Sequence, residues 1–454
     1  MPGQTDTYGH DLGTDNATAA AAFDRAVHAF ALLRTETMAE LDTAIASDPD
    51  FVLAKLAKAW ILHSGRSSAF TPVIDGLLAD VGPRLNGADG RSRAYYDGLR
   101  KAQAGDAIEA GTIMESVIAG YPTDLLAHRL TQLELFWNGR IAWMRDIADR
   151  AADRWNDDLT DYGTYLAVRA FAAEEDGDYA TAERCGRQAI ERNPADCWAA
   201  HAVVHALTMQ GRIDEGVEWV EDLSGHWTES NQMKHHLWWH ACVLLQERGE
   251  HDRILDLLTS HVRNPDSPLV KAAPAAPIDI QNLASMLMRL RLGGVDVGNR
   301  WSVLADACAG RIHDHRSPFG NAHDMMVLAA TEQFAAADEL INSMRAFAAE
   351  GDGSLALTYR TVGIAICEAV LAHFKGDFER VLARLSPARH DLSLVGGSHV
   401  QRDLFYWILV DAARHQGRPE LVTSFIGDVG RTGITNVAER AFYRDALDGK
   451  PHEP

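Results

Sequence analysis

Sulfur and positive charge are both scarce in this chain of 454 residues. Its five cysteines, Cys185, Cys197, Cys242, Cys308 and Cys367, lie far apart and form no C-x-x-C. An odd, scattered set excludes a disulfide framework and a thiolate zinc site, and fits a reducing cytoplasm. Lys and Arg number 43 against 64 Asp and Glu, a formal net charge of -21. Affinity for phosphate backbones and anionic lipid comes mainly from clustered cations, so the expectation is no nucleic-acid partner and no membrane partner. The opening Met1-Pro2-Gly3-Gln4-Thr5-Asp6-Thr7 lacks the basic start and apolar stretch of a secretory signal. No later run reads as long and apolar enough to span a bilayer, which again places the chain in the cytoplasm.

β-branched runs are also few. Alanine is abundant instead, and apolar residues recur at intervals of three and four, the period of helix after helix. The expected class is all-α. The length exceeds one ordinary core, which calls for two domains or one extended array. Self-similarity decides for an array. Gly105-Asp106 followed by Ala110 and Pro122 matches the spacing of Gly177-Asp178-Tyr179, Ala182, Ala189 and Pro194. Glycine allows a tight turn between antiparallel helices, small alanines allow their close approach, and proline stops the second helix. Turn glycines at Gly65, Gly105, Gly139, Gly177, Gly211 and Gly249 recur at close to the roughly 34 residues of a tetratricopeptide unit, and Gly376 and Gly417 resume the pattern. Between Gly249 and Gly376 the rhythm loosens into a Pro-rich loop (Pro265 to Pro277), a turn from Gly293 to Gly298, and a loop from Ile312 to Gly320. The predicted fold is a curved α-solenoid of degenerate tetratricopeptide-like helix pairs, closed over by these long loops in the second half. A division near residue 270 gives amino-terminal repeats over 1–270 and carboxy-terminal repeats over 271–454 that complete the same superhelix.

In such solenoids the first helix of each pair lines the binding surface. Counting back from Gly211 puts Trp198, His201, His205 and Thr208 on that face, with Ala200, Val203, Val204 and Leu207 on the buried side. The unit ending at Gly249 puts His236, Trp239, Val243 and Gln246 there, with His240 one residue further round. Histidines one turn apart can place two imidazoles on one metal, which makes His201 and His205 candidate ligands of a divalent ion. A third would come from Asp314, His315, His323 or Asp324. No glutamate lies between His201 and His205, so this is not the H-E-x-x-H of a metalloprotease. A metal-free polar pocket and hydrogen-bonded core histidines remain open beside it.

His201-Ala202-x-x-His205, Gly211, His236-x-x-Trp239-His240 and Glu247-x-Gly249 resemble the tetratricopeptide repeat protein 38 family. Further blocks follow in family order: Arg289-Leu290, Gly294-Val295-Asp296-Val297-Gly298-x-Arg300-Trp301, Asn321-Ala322-His323, and Gly396-Gly397-Ser398-x-x-Gln401-Arg402-Asp403. The resemblance covers roughly residues 195 to 410 and implies a curved array of degenerate repeats. Asn often stands in that family where this chain has His399, and an acidic residue where it has Asn321, so roles there are less firmly implied.

Ser398 reads as an N-cap opening a helix whose positive end attracts an anion, with Arg402 to bind a carboxylate and Asp403 to orient it. The same residues can equally be a capped helix with an Arg–Asp pair joining two repeats. The predicted function is binding of a small polar or aromatic molecule in one His/Trp-lined cavity. His236, Trp239, His240, Trp301, Ser398, His399, Gln401, Arg402 and Asp403 would contact it, and His201, His205 and His323 would supply acid–base groups for a hydrolytic or lyase-type step if the site is catalytic. The alternative is a tetratricopeptide adaptor for a protein or peptide partner. Homodimerisation through apolar terminal faces is a further expectation.

Overall fold

The computed structural model describes residues 3–449, and among them the chain is all-α: helices follow one another in antiparallel pairs, with two isolated bridges and no strand. This is the tetratricopeptide-like architecture the turn spacing calls for. The repeated Gly-Asp has two separate duties. Gly105 and Gly177 take left-handed φ of 77° and 84° at the turn, and the aspartate after each accepts the Glu109 or Thr181 amide, capping the next helix. Gly139, Gly211, Gly249, Gly376 and Gly417 turn with the same hand. Gly65 does not: its φ is -70°, and Arg66, with φ 51°, makes the left-handed step instead.

Contacts divide the chain into two compact units. Unit 1 holds residues up to Val203 with His226–Asn231 and Gly353–Leu355, and unit 2 holds the rest. The boundary between these units falls inside the helix Cys197–Gln210.

Unit 1 pairs Ala17–Ala31 with Thr37–Ser47, Val52–Ser64 with Thr71–Val81, Gly90–Gln103 with Ala107–Gly120, and Tyr162–Glu175 with Tyr179–Arg192. Leu125–Trp137 and Ile141–Arg150 lie between the last two pairs.

In unit 2 the first helices of successive repeats pack on one another. Met233–Glu247 lies on Pro277–Leu292, which lies on both Pro318–Ala330 and His399–His415, and Pro318–Ala330 also meets Ile364–Phe374. These inner helices are buried over most of their circumference, polar residues included. Second helices such as Phe378–Ala388 bury only one face, through Val381, Leu382 and Leu385. The expectation that Thr208, His236, Trp239, Val243 and Gln246 line an exposed concave surface is thus corrected: all are buried. The carboxy-terminal segment is one cause. Arg440 donates to the Thr208 and Met209 carbonyls, and the Ala441 amide donates to Glu247, so the segment covers the ends of these helices.

The expectation of no membrane-length run is also corrected. Ser354–Phe374 is 21 residues long with a mean hydropathy of 1.5 over its most apolar stretch, enough by length and composition to cross a bilayer. Most of that stretch is buried in the protein, and its Glu368 is ion-paired to Arg345 and Arg384.

Candidate functional site

Three of the sequence-marked histidines meet inside unit 2. His236 and His240 stand one turn apart on Met233–Glu247, and His205 comes from the preceding first helix. His205 Nε2 is 2.9 Å from His240 Nε2, and the His236 and His240 rings are 4.7 Å apart, edge to face. One ring nitrogen from each lies within 4.8 Å of those of the others. Trp239 stacks on His236 at 5.1 Å and meets His240 edge-on, closing the apolar side. His236 Nδ1 donates to Asn282 Oδ1 at 2.7 Å, and the adjacent His235 Nδ1 bonds Asp279 Oδ1 at 2.8 Å. Burial pushes His236 down to about 3, against the Asn282 bond, which favours the protonated ring. Burial, with His205 and His236 beside it, holds His240 well below the ordinary histidine range. Both are neutral imidazoles at physiological pH.

His201 belongs to unit 1, where it is buried and stacked between Trp198 at 5.1 Å and Phe171 at 5.5 Å. His323 is buried elsewhere in unit 2. Its Nδ1 donates to the Phe319 carbonyl at 2.7 Å, and burial lowers its pKa to about 4 against that bond. The other expected third ligands are also engaged: His315 with Ser343 at 2.7 Å, Asp324 with Arg311 at 3.3 Å, and Asp314 with the Arg316 amide at 3.2 Å.

The carboxy-terminal block is a helix cap. Ser398 Oγ accepts the Gln401 amide at 3.2 Å while Gln401 Oε1 accepts the Ser398 amide at 2.8 Å, a reciprocal capping box. Arg402 turns back onto the Gly397 carbonyl and lies 3.3 Å from His399 Nδ1. Asp403 faces the other way, accepting from Trp407 Nε1 at 2.8 Å and Tyr443 at 2.5 Å and lying 3.5 Å from Arg289. The expected Arg402–Asp403 partnership is corrected: neighbours in a helix point about 100° apart.

His399, Arg402 and Asp403 border a cavity of about 190 Å³, whereas Trp301 borders another of about 760 Å³. The larger one runs along the turn ends of unit 2, with Trp301, Phe374 and Phe378 as apolar walls and Arg291, Asp296, Glu332, His373, Asp411 and His415 as polar ones. Trp301 meets Phe374 edge-on at 6.0 Å, and Arg291 lies over the Phe374 ring at 4.8 Å with no ion-pair partner among the described residues. Arg291 is exposed overall, and partial desolvation of its guanidinium against the protein lowers its pKa, with Asp411 acting against it. His373 Nε2 bonds Asp411 Oδ2 at 2.8 Å, and His415 stacks on Phe378 at 4.0 Å.

Sequence reasoning missed this polar wall although its own register contains it. His205 stands six residues before Gly211, and Asp411 six before Gly417. Thr208 and Gln246 stand three residues before their turn glycines, as Arg291 and His373 do before Gly294 and Gly376.

No protein-family model matches the sequence. Among solved structures, the chain is similar to human IFIT1, solved as a dimer with m7Gppp-AAAA, at 12% identity over 96% of each chain with a TM-score of 0.39. A monomeric mutant of IFIT1 with Gppp-AAAA gives the same figures. One expectation is withdrawn in consequence. Human IFIT1 is solved with capped oligonucleotides, and that finding overturns the expectation of no nucleic-acid partner. The physical reason is that net charge averages over a whole chain, whereas binding depends on local patches.

Proposed function

We propose that this chain is a helical-repeat binding protein of the cytoplasm whose second unit takes a small amphoteric molecule with an apolar body, such as an aromatic amino acid, in the cavity beside Trp301. The observation that carries the reading is the lining of that cavity. It is about 760 Å³, the size of a small-molecule site, and combines the exposed Arg291 guanidinium, the exposed carboxylates of Asp296 and Glu332, none of the three ion-paired among the described residues, and a cluster of aromatic rings. Arg291 offers two parallel N–H donors to a carboxylate. Asp296 and Glu332 offer charge for an ammonium group, and Trp301, Phe374 and Phe378 offer apolar surface that also attracts cations. A ligand of a single charge satisfies only half of this lining. The ordered blocks from His201 to Asp403 support placing the chain in the tetratricopeptide repeat protein 38 family, and the five buried, unbridged cysteines are in keeping with a reducing compartment.

Titration calorimetry of the full chain with tryptophan and phenylalanine, against indole-3-acetate and tryptamine, tests the reading. The amino acids should bind at least about 10-fold more tightly than either singly charged analogue, and Arg291→Gln should weaken them by about 10-fold or more. Equal affinity for all four compounds, or none for any, would remove the proposal. The adaptor reading predicts instead that an extended peptide binds and free amino acids do not.

A further inference from the structure

The three histidines of unit 2 are separate from the cavity just described and carry an independent inference. In His205 and His240, two Nε2 atoms face each other at 2.9 Å. Two nitrogens bound to one ion at about 2.0–2.1 Å with an angle between 90° and 110° stand roughly 2.9–3.4 Å apart, so this spacing is that of two ligands on one centre. His236 adds a third nitrogen within the same 4.8 Å, from the turn of helix before His240. Its tautomer is fixed from behind. Asn282 Oδ1 accepts from Nδ1, so the lone pair sits on Nε2, the arrangement by which outer-shell groups aim a metal-binding imidazole. Asn282 itself comes from Pro277–Leu292, the helix packed directly on Met233–Glu247.

We propose that His205, His236 and His240 bind one divalent transition-metal ion, zinc before others, with Asn282 as the residue that orients His236. Three imidazoles suit zinc, copper or nickel and disfavour magnesium and calcium. Each position lies on an inner helix, where a rigid packed layer holds the nitrogens close without the metal. His205 and His240 are fully buried, so the ion enters as the chain folds or during slow opening, and brief exposure of folded apoprotein would load little. The competing account of the 2.9 Å approach is one shared proton, His205 and His240 being donor and acceptor.

The full chain is unfolded with chelator present and refolded with and without Zn²⁺, and zinc is counted by plasma mass spectrometry after exhaustive dialysis. About one equivalent should be retained, with a higher melting temperature than the metal-free protein. His240→Gln should retain none, and Asn282→Ala should retain zinc with affinity lower by about 10- to 100-fold, both judged on chains with native circular dichroism. Because loss of a buried imidazole can itself prevent folding, the wild-type chain refolded with Co²⁺ gives a second readout: visible d–d absorption of a nitrogen-ligated ion that Zn²⁺ displaces. Zinc at background in the wild type, an unchanged content in folded His240→Gln, or no cobalt absorption would each overturn the proposal. Arg291→Gln should leave metal content unchanged, which separates failure here from failure of the ligand cavity.

Discussion

His373 Nε2 lies 2.8 Å from Asp411 Oδ2, joining the first helices of two successive repeats, and both side chains are buried. The pair forms part of the wall of the Trp301 cavity. A hydrogen bond to a charged group contributes more than a neutral one, and its loss leaves a buried group to be desolvated alone. Asp411→Asn should therefore lower stability by about 1.5–3 kcal/mol in urea unfolding, with an unchanged m-value. A loss below about 0.5 kcal/mol would mean the pair is not formed in solution.

Ser398 and Gln401 bond each other's backbone amides, so the two helix-end donors that an anion would need are already occupied. Ser398→Ala should cost about 1 kcal/mol of stability and leave tryptophan binding and zinc content as they were. Calorimetry showing a loss of ligand affinity larger than the loss of stability would restore the anion-site reading of this block.

The period of three and four and the turn glycines made the helix pairs legible, because both follow from backbone geometry that each repeat must satisfy locally. The histidine centre was half legible. The register counted from Gly211 and Gly249 placed His205, His236 and His240 on one side of their helices, but it could not supply Asn282, whose approach depends on how the irregular repeat after Gly249 docks. It also could not show that these faces are buried, since the covering segment around Arg440 lies far away in sequence. Arg402 and Asp403 misled because adjacency in sequence was taken as adjacency in space. Gly65 misled for a smaller reason: a turn needs one left-handed residue, and the sequence does not say that Arg66 supplies it.

Gly186 is not a turn residue. It lies inside the helix Tyr179–Arg192, where a Cβ would fall 2.4 Å from Val203 Cγ2 and 3.3 Å from the Ala199 carbonyl. Helix propensity favours alanine by about 1 kcal/mol, and overpacking a closed core costs about 1–3 kcal/mol. The Val203 methyl is held inside a buried helix, so the clash should win. Gly186→Ala is expected to lower the melting temperature, and Gly186→Ala combined with Val203→Ala to recover part of the loss. An increase in melting temperature for the single variant would show that the two helices are further apart than described.

Glu134 is buried in unit 1 among Arg66 at 2.6 Å, His63 Nε2 at 3.2 Å and Asn138 Nδ2 at 3.2 Å. Burial alone would raise its pKa, but the Arg66 charge and the His63 hydrogen bond outweigh burial and hold the carboxyl at about 2, below an ordinary value of 4.5. A carboxyl depressed in the folded state contributes stability that is complete above the unfolded value and is lost as pH falls toward the folded one. The window therefore runs from about 4.5 down to about 2. The corresponding free energy is roughly 3 kcal/mol. Other carboxylates titrate in the same range, so the quantity to follow is the stability difference between wild type and Glu134→Gln. That difference should be constant above pH 6 and shrink by roughly 3 kcal/mol toward pH 2, because only the wild type loses this charge. A difference that stays flat with pH would mean that Glu134 is already protonated in the folded chain and that Arg66 is balanced by another group.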